Sequence, residues 1–495
     1  MAEQMWYRSK NTFLGAGRMN TVVDRILQLS KEVDTEIYLV GGTIRDILLD
    51  RKMKDLDFVA LHHPKVIAKK ISSQLEGTFI ELDKEREIYR IVLEDKSTID
   101  IAKAKGNTIE EDLCQRDFTI NAMAYDLRQG WPIRKEEIID PLKGRKDLDD
   151  KRILHTEERV FYEDPVRMLR AVAFMAQLKF QLDHKTQELI KSESARIVSV
   201  SGERIAEELF KILAEPMTYY YFDFMDKQLN LLEKIFPEII EMKTIGECKY
   251  HVVDSWKHSI NTMKTVESYI YANKFFEGHI GQAYEEHTSE RIAGGHKRLQ
   301  LLKLGALFHD IGKPSARRID HTGRVRFRGH EITGAELMKE YAGKMRLSGR
   351  EKEILCKYIA LHMWPLDLYK KNDVSGKTLY KLFNKMGRET LDILLIALGD
   401  IVATRKILDP KEEMGMFKVH IEYIANNYLT RYKQIENIST IINGTEVMEI
   451  LNISEGSTVG EMLEEIRKAI YFGEIEPTKE ASIQYIKDFY KTFKT

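Results

Sequence analysis

Residues 38–60 read YLVGGTIRDILLDRKMKDLDFVA, two apolar runs joined through a two-glycine turn. Tyr38–Val40 predict a short buried strand, and Thr43–Asp50 a helix with apolar residues at helical spacing. Gly41 and Gly42 lie between them, where missing side chains let backbone N–H groups approach a phosphate at a helix N-terminus. Asp55 and Asp57 fall two positions apart on the strand that follows, so their carboxylates share one face. Two converging carboxylates beside such a turn suit two magnesium ions, which can activate an attacking hydroxyl and stabilise a leaving oxygen. Each feature alone is ordinary. A Gly-Gly turn is weak by itself, and an Asp-x-Asp pair more often lines a solvated strand edge. Their joint order and spacing carry the reading.

Working outward, 495 residues suffice for several domains with substantial cores. The chain is 43% hydrophobic and 31% charged, as in globular proteins. Its 77 basic residues nearly cancel 78 acidic ones, so any nucleic-acid affinity must come from a local basic face. Three scattered cysteines, Cys114, Cys248 and Cys356, form neither a metal-ligand spacing nor a disulfide framework, which fits a reducing cytoplasm. There is no signal-peptide pattern and no apolar run long enough to span a membrane, so the expected location is cytoplasmic.

The first third alternates strand and helix patterns, with strands expected at Thr78–Leu82, Ile88–Leu93 and Thr98–Ala102. From Asp147 to about Lys234 the pattern is almost wholly helical, with Pro165 admissible in a first turn. Ile239–Lys249 reads as a junction, and His251 to about Leu408 as a second helical region rich in histidine. Within it, Ala272–Arg298 is polar, contains Gly294–Gly295 and reads as a surface excursion or lid. From Pro410 onward the pattern is amphipathic helix with a short extended piece near Ile441–Glu446.

The segment 38–60 resembles the head of class II nucleotidyltransferases, the tRNA CCA-adding enzymes and bacterial poly(A) polymerases. Further motifs follow in the family's order, over roughly Val22 to Ile240. Asp100 in TIDIAKAK could add a third carboxylate to the site or be an exposed strand residue. DLCQRDFTINAMAYD, Asp112–Asp126, resembles the motif that binds nucleotide sugar and phosphates: Arg116, Asp117 and Asn121 match, while Gln115 stands where the family usually has arginine. DPLKGRKDL, Asp140–Leu148, looks like a structural connector that turns and then starts a helix. In EDPVRMLRAVAF, Glu163–Phe174, helical spacing lets Asp164, Arg167 and Arg170 converge. A carboxylate and a guanidinium can read the amino group and ring nitrogen shared by ATP and CTP. The resemblance implies that Asp164 and Arg167 are the protein template for the base, whereas a helical salt-bridge ladder is the plain alternative. Ala173 replaces a common arginine of the family. In SGERIAEELFKIL, Ser201 can cap a helix that Glu203 and Arg204 begin. The resemblance also places Arg45 at the nucleotide.

In the histidine-rich half, LGALFHDIGKP contributes His309 and Asp310, with His258 upstream and His330, His362 and Asp400 downstream. Imidazole and carboxylate suit divalent metals, and charged pairs inside apolar helices need a partner. This series resembles the HD superfamily of metal-dependent phosphohydrolases, which implies a transition metal such as Mn2+, Ni2+ or Co2+. His251, His279, His287, His296 and His321 lack that context. Lys313 could steady a substrate phosphate or simply end a helix.

The resulting expectation is an α+β chain. A mixed α/β head related to DNA polymerase β spans 20–146, a helical neck 147–240, an HD domain 245–408 and a helical tail 410–495. The resemblance implies CCA or partial CCA addition to tRNA from CTP and ATP, with Mg2+ on Asp55 and Asp57 and Asp100 as a further catalytic carboxylate. A poly(A) polymerase is the alternative within the family, and LDKEREIYRIV, Leu82–Val92, lies near the loop thought to govern the switch between CTP and ATP. A phosphohydrolase acting chiefly through its HD half is the alternative from another class. Alarmone synthetase-hydrolases carry their HD domain first, in the opposite order, and a non-catalytic RNA-binding protein would not need both carboxylates and six metal ligands.

Overall fold

Strand β1 (Ile37–Val40) is buried along its whole length, as an apolar four-residue run requires. It pairs antiparallel with β2 (Asp55–Ala60), Tyr38 opposite Val59. In this computed structural model, which describes residues 16–51, 55–246, 253–272, 276, 278–408, 411–436 and 438–493, the connection holds the helix Gly42–Leu48. β3 (Thr78–Asp83), β4 (Ile88–Val92), β5 (Thr98–Lys103) and β6 (Ala124–Asp126) complete a mixed sheet in the order β3-β4-β5-β2-β1-β6. Within this sheet only β2 and β5 pair parallel, and their register sets Asp57 opposite Asp100 and Asp55 opposite Thr98. Along β2, Leu56 and Phe58 are buried while Asp55 is exposed and Asp57 half-buried, the alternation of a strand with one wet face. The helix Pro64–Gln74 covers β4 and β5, and Ile109 and Leu113 pack with Tyr38, Val40 and Val59.

The strands agree with expectation, and Leu82–Val92 is mostly hairpin: Leu82 and Asp83 end β3 and Ile88–Val92 form β4. The helical stretch after Asp147 also carries a two-residue parallel pair, Arg152–Ile153 with Gln181–Leu182, too short to show a period-two pattern. Pro165 sits in the turn just before the helix Arg167–Leu178.

The chain packs as two compact units, one running to Val200 and taking in Gln228–Leu231, the other holding Ser201–Lys227 and everything from Leu232 onward. That boundary falls within the stretch 147–240. The second unit is helical apart from one short hairpin, Arg318–Ile319 with Val325–Arg326. Ser255–Tyr271 packs against Arg298–Phe308 and Thr390–Leu408, and His330–Lys344 against Gly349–Leu361. The junction expected at Ile239–Lys249 begins instead inside the helix Glu238–Met242; Lys249, Cys248, His251 and Pro410 lie outside the described residues.

Three expectations are corrected here. Ala272–Arg298 lies largely at the surface, as read, but it is not irregular: among its described residues Gly278–Ser289 is a helix that buries Ile280, Tyr284 and Thr288, and Arg298 opens the next helix fully buried. Its polar residues misled because they are paired inside the protein: His287 with Asp392 at 2.8 Å, and Arg298 with Asp392 at 3.0 Å. Ile441–Glu446 forms no strand; Asn443 is an extended N-cap whose side chain accepts from the Glu446 N–H, and Gly444–Leu451 is helix. Ser201 stands at the cap of Gly202–Leu213, but its hydroxyl makes no capping bond.

Candidate active site

The head site forms where β1 turns into Gly42–Leu48 above the wet face of β2. Gly41 has φ +65°, a conformation that costs any residue with a Cβ, and its N–H donates to the Met123 carbonyl at 3.1 Å. A Cβ there would lie 2.7 Å from Arg116 Nη1, so the missing side chain is what admits that guanidinium. Gly42 places no atom between the turn and Asp57, whose Oδ2 is 3.5 Å from the position a Cβ would take. Thr43 ties turn to strand, its Oγ1 accepting from the Asp57 N–H at 2.9 Å. Asp55 accepts from Thr98 Oγ1 at 2.5 Å.

Asp57 is pushed up to about 6, by burial first and then by the carboxylate of Asp100, against which Arg116 pulls it down and Asp55 adds a further push upward. Crowded carboxylates of that kind are stabilised by a hard cation, and their oxygen donors fit magnesium. Asp100 faces this group but is itself gripped by Arg90, whose Nε and Nη2 donate to its two oxygens at 2.8 and 2.7 Å.

Arg45 Nη1 donates to Asn121 Oδ1 at 2.7 Å, and its guanidinium lies over the Phe174 ring at 5.2 Å. Asn121 Nδ2 donates in turn to Asp117 at 3.2 Å, and Arg170 Nη1 donates to the other oxygen of Asp117 at 3.2 Å. Burial pushes Asp117 up, but Arg170, the Asn121 amide and Arg167 outweigh it and hold this carboxyl below its ordinary range. Arg116 pairs with Asp112 at 2.9 Å. Arg167 is buried and donates to the carbonyls of Val160 at 3.3 Å and Gln115 at 3.4 Å. The exposed Gln115 therefore meets this face through its backbone. Asp164 precedes the same helix in extended conformation, and its carbonyl accepts from the Arg167 N–H at 3.1 Å. Thus Arg45, Asn121, Asp117 and Arg170 form one hydrogen-bonded network beside the carboxylates, Arg116 is held separately by Asp112, and the Arg167 N–H reaches back to the Asp164 carbonyl. Arg90, Thr43 and Phe174 escaped sequence reasoning. Arg90 was legible in principle, since it stands opposite Asp100 once β4 and β5 are paired.

The second cluster lies in the helical unit. His309 and His362 each follow the last residue of a helix and His330 opens one. Each Nδ1 faces a carbonyl three residues back: Ala306 at 2.9 Å, Phe327 at 2.9 Å and Ile359 at 2.7 Å. The Ala306 and Ile359 carbonyls lie in the last turn of a helix and lack intrahelical partners, and the Phe327 carbonyl belongs to the turn before one; a carbonyl can only accept, so each takes the Nδ1 proton and leaves Nε2 as a lone-pair donor. Gly312 permits the approach, since a Cβ there would lie 2.1 Å from the His330 carbonyl. His258 Nε2 stands 2.9 Å from Asp400, His309 Nε2 3.3 Å from Asp310, and His330 Nε2 3.1 Å from Asp310. His330 and His362 meet Nε2 to Nε2 at 3.3 Å.

Three overlapping sets, His258–His309–Asp310, His309–His362–Asp400 and Asp310–His330–His362, bring ligand atoms within 4.8 Å of one another. His309 Nε2 is buried without a hydrogen-bond partner, a position a metal would satisfy. His362 is pushed down to about 3 by burial and by His309 and His330, so it is a neutral imidazole at physiological pH, the form that can ligate. Burial pushes Asp310 up, but Lys313, His309 and His330 outweigh it and hold the carboxyl well below the usual range. Lys313 Nζ is 2.5 Å from Asp310, so it is an ion-pair partner of the cluster as well as a helix residue.

The family profiles match this arrangement in order: a poly(A) polymerase head domain at 37–108 and 102–154, a probable RNA- and SrmB-binding site of polymerase A at 179–243, and an HD domain at 256–398. The chain belongs to the class II tRNA nucleotidyltransferase and poly(A) polymerase family. As a family member it is a nucleotidyltransferase that carries an HD domain. It is 27% identical to the CC-adding tRNA nucleotidyltransferase of Thermus thermophilus, over 90% of this chain and 92% of that one. It is also 27% identical to the A-adding tRNA nucleotidyltransferase of Deinococcus radiodurans, over 90% and 93%. The fold matches the Thermotoga maritima CCA-adding enzyme complexed with tRNA at a TM-score of 0.59 and 22% identity, covering 96% of both chains. Among the described residues no helix is long and apolar enough to cross a membrane.

Proposed function

We propose that this nucleotidyltransferase adds CCA, or part of it, to tRNA 3′ ends from CTP and ATP without a nucleic-acid template. The observation that carries the reading is the joining of Asp55 and Asp57 to the Gly41–Arg116 turn and the Arg45–Asn121–Asp117–Arg170 network. The tRNA 3′-hydroxyl attacks the α-phosphate, a new phosphodiester forms, and pyrophosphate leaves. Asp55 and Asp57 would hold Mg2+, which supplies charge neutralisation at the triphosphate and activation of the hydroxyl. Arg116 and the open turn at Gly41 and Gly42 receive the phosphates, while Asn121 and Asp117 orient the sugar. Asp164 and Arg167 read the base edge, Arg170 fixes Asp117, and Asp100, held by Arg90, completes the acidic group. In this reading the functional division is a head at 20–146, a neck at 147–240, an HD domain at 245–408 and a tail at 410–495. A poly(A) polymerase activity is the alternative product within the family.

The cluster of His258, His309, Asp310, His330, His362 and Asp400 favours a second activity, phosphohydrolysis, with Mn2+, Ni2+ or Co2+ as the metal. Asp55→Ala combined with Asp57→Ala tests the first activity: nucleotide addition is expected to vanish while circular dichroism stays that of the folded protein. Addition by the folded double variant would refute the site assignment.

A further inference from the structure

Between Asp310 and His330, both of the histidine–aspartate cluster, the chain leaves the core as a small hairpin. Arg318–Ile319 pairs with Val325–Arg326, Ile319 opposite Val325. Its two roots are fixed at the cluster. Lys313 is bonded to Asp310 and lies 5.8 Å over the Phe327 ring, and the Phe327 carbonyl accepts from His330. The tip is tied by its own bonds: Asp320 accepts from the N–H groups of Thr322 and Arg324 and from Arg326 Nε, and Gly323 closes the turn at φ +77°.

The hairpin carries Arg317, Arg318, Arg324, Arg326 and Arg328 against the single acid Asp320. Asp320 neutralises Arg326, and Arg318 rests on the carbonyls of Ser315 and Arg317. Arg317, Arg324 and Arg328 are exposed and form no ion pair among the described residues. Ile319 and Val325, 65% and 43% exposed, pair across the ribbon as an apolar patch on the face of Arg317, with Arg324 and Arg328 alternating onto the other face.

We propose that this hairpin is a clamp for single-stranded RNA, holding the sugar-phosphate backbone so that a phosphate-bearing 3′ end enters the metal centre at its roots. The proposal rests on the phosphohydrolase reading of that centre. One terminal phosphate is served by the metal ligands and their neighbour Lys313. Three further guanidiniums on an otherwise acid-poor ribbon can grip phosphates of a strand that crosses it, and the aliphatic pair offers a surface to a base.

The test uses the full-length protein loaded with manganese and two substrates: a 2′,3′-cyclic mononucleotide and a short single-stranded RNA ending in a 2′,3′-cyclic phosphate. In each, water oxygen bonds to phosphorus, one ribose P–O bond breaks, and the proton ends on the released hydroxyl. The expected result is that kcat/KM favours the RNA, and that Arg317→Ser with Arg324→Ser and Arg328→Ser lowers this preference about tenfold. The slope of log(kcat/KM) for RNA against log salt becomes shallower by about 2. A wild-type preference near one, a preference untouched by the triple variant, or equal competition by polyglutamate overturns the clamp. Hydrolysis of neither substrate overturns the phosphohydrolase reading instead. In that case the same RNA with a photoreactive 3′ base is cross-linked to the metal-free protein, and a cross-link outside residues 314–329 overturns the clamp as well.

Discussion

At the scale of single residues, Gly41 and His309 show how one atom more or fewer decides a site. Gly41 combines a positive φ with a Cβ position 2.7 Å from Arg116 Nη1, whereas Gly42 would meet Arg45 and Asp57 at 3.5 Å, ordinary contact. Gly41→Ala is therefore expected to cost about 1–3 kcal/mol of stability through backbone strain alone. It should also raise KM for the nucleotide by displacing Arg116, whereas Gly42→Ala should leave the unfolding midpoint near that of the parent. Denaturant titration and steady-state kinetics on the two variants separate these effects. In the helical unit, His309 ends in a buried Nε2 that makes no hydrogen bond although Asp310 lies 3.3 Å away. His309→Ala with Asp310→Ala is expected to reduce bound manganese to background by elemental analysis while tRNA extension persists. Equal metal in variant and parent would make the cluster a structural relic.

At the scale of elements, the buried pairing around Thr390–Leu408 explains why Arg298–Phe308 and Gly278–Ser289 pack as they do. Arg298 bonds Asp392 and Glu290, and His287 closes on the same Asp392 oxygen. Burial pushes Asp392 up, but His287 and Arg298 outweigh it, so its folded-state value lies below the ordinary one. The folded state then binds that proton more weakly than the unfolded chain, so the stabilisation is present above about pH 4 and is lost as pH falls through the folded-state value. Arg298→Met leaves the carboxylate short of a partner; it is expected to cost about 3–5 kcal/mol and move the acid-unfolding midpoint to higher pH. An unchanged midpoint in a pH titration followed by circular dichroism would contradict this account. The same cluster shows where sequence reading stopped. Period-two alternation made β2 and the shared face of Asp55 and Asp57 legible, and apolar runs marked β1, β4 and β5. Polarity without periodicity hid the helix Gly278–Ser289 and the buried Arg298, because the partner that His287 and Arg298 share, Asp392, lies about a hundred residues away. Arg90 went unnoticed for a related reason: its contact with Asp100 exists only once two strands are paired. Local patterns carry local geometry, and buried ion pairs are set by tertiary structure.

At the scale of the whole chain, two chemistries occupy one polypeptide: a carboxylate and arginine site in the head and an imidazole and carboxylate site in the helical unit. Their ligand types were readable from motif order, since His258, His309, Asp310, His330, His362 and Asp400 all meet in three overlapping sets. The product was not readable, because the motifs are shared by relatives named CC-adding and A-adding that are equally similar to this chain. The hairpin 317–328 was equally silent in sequence, its arginines scattered between two ligand motifs. The most direct measurement of the central claim incubates the purified protein with tRNA ending before CCA, in C, or in CC. Each receives magnesium with labelled CTP, ATP or both, and products are sized on a gel. Template-independent tRNA repair requires growth by defined steps that stops at CCA, CC or A. A long ladder with ATP on any RNA, or no extension of any of the three, would contradict it.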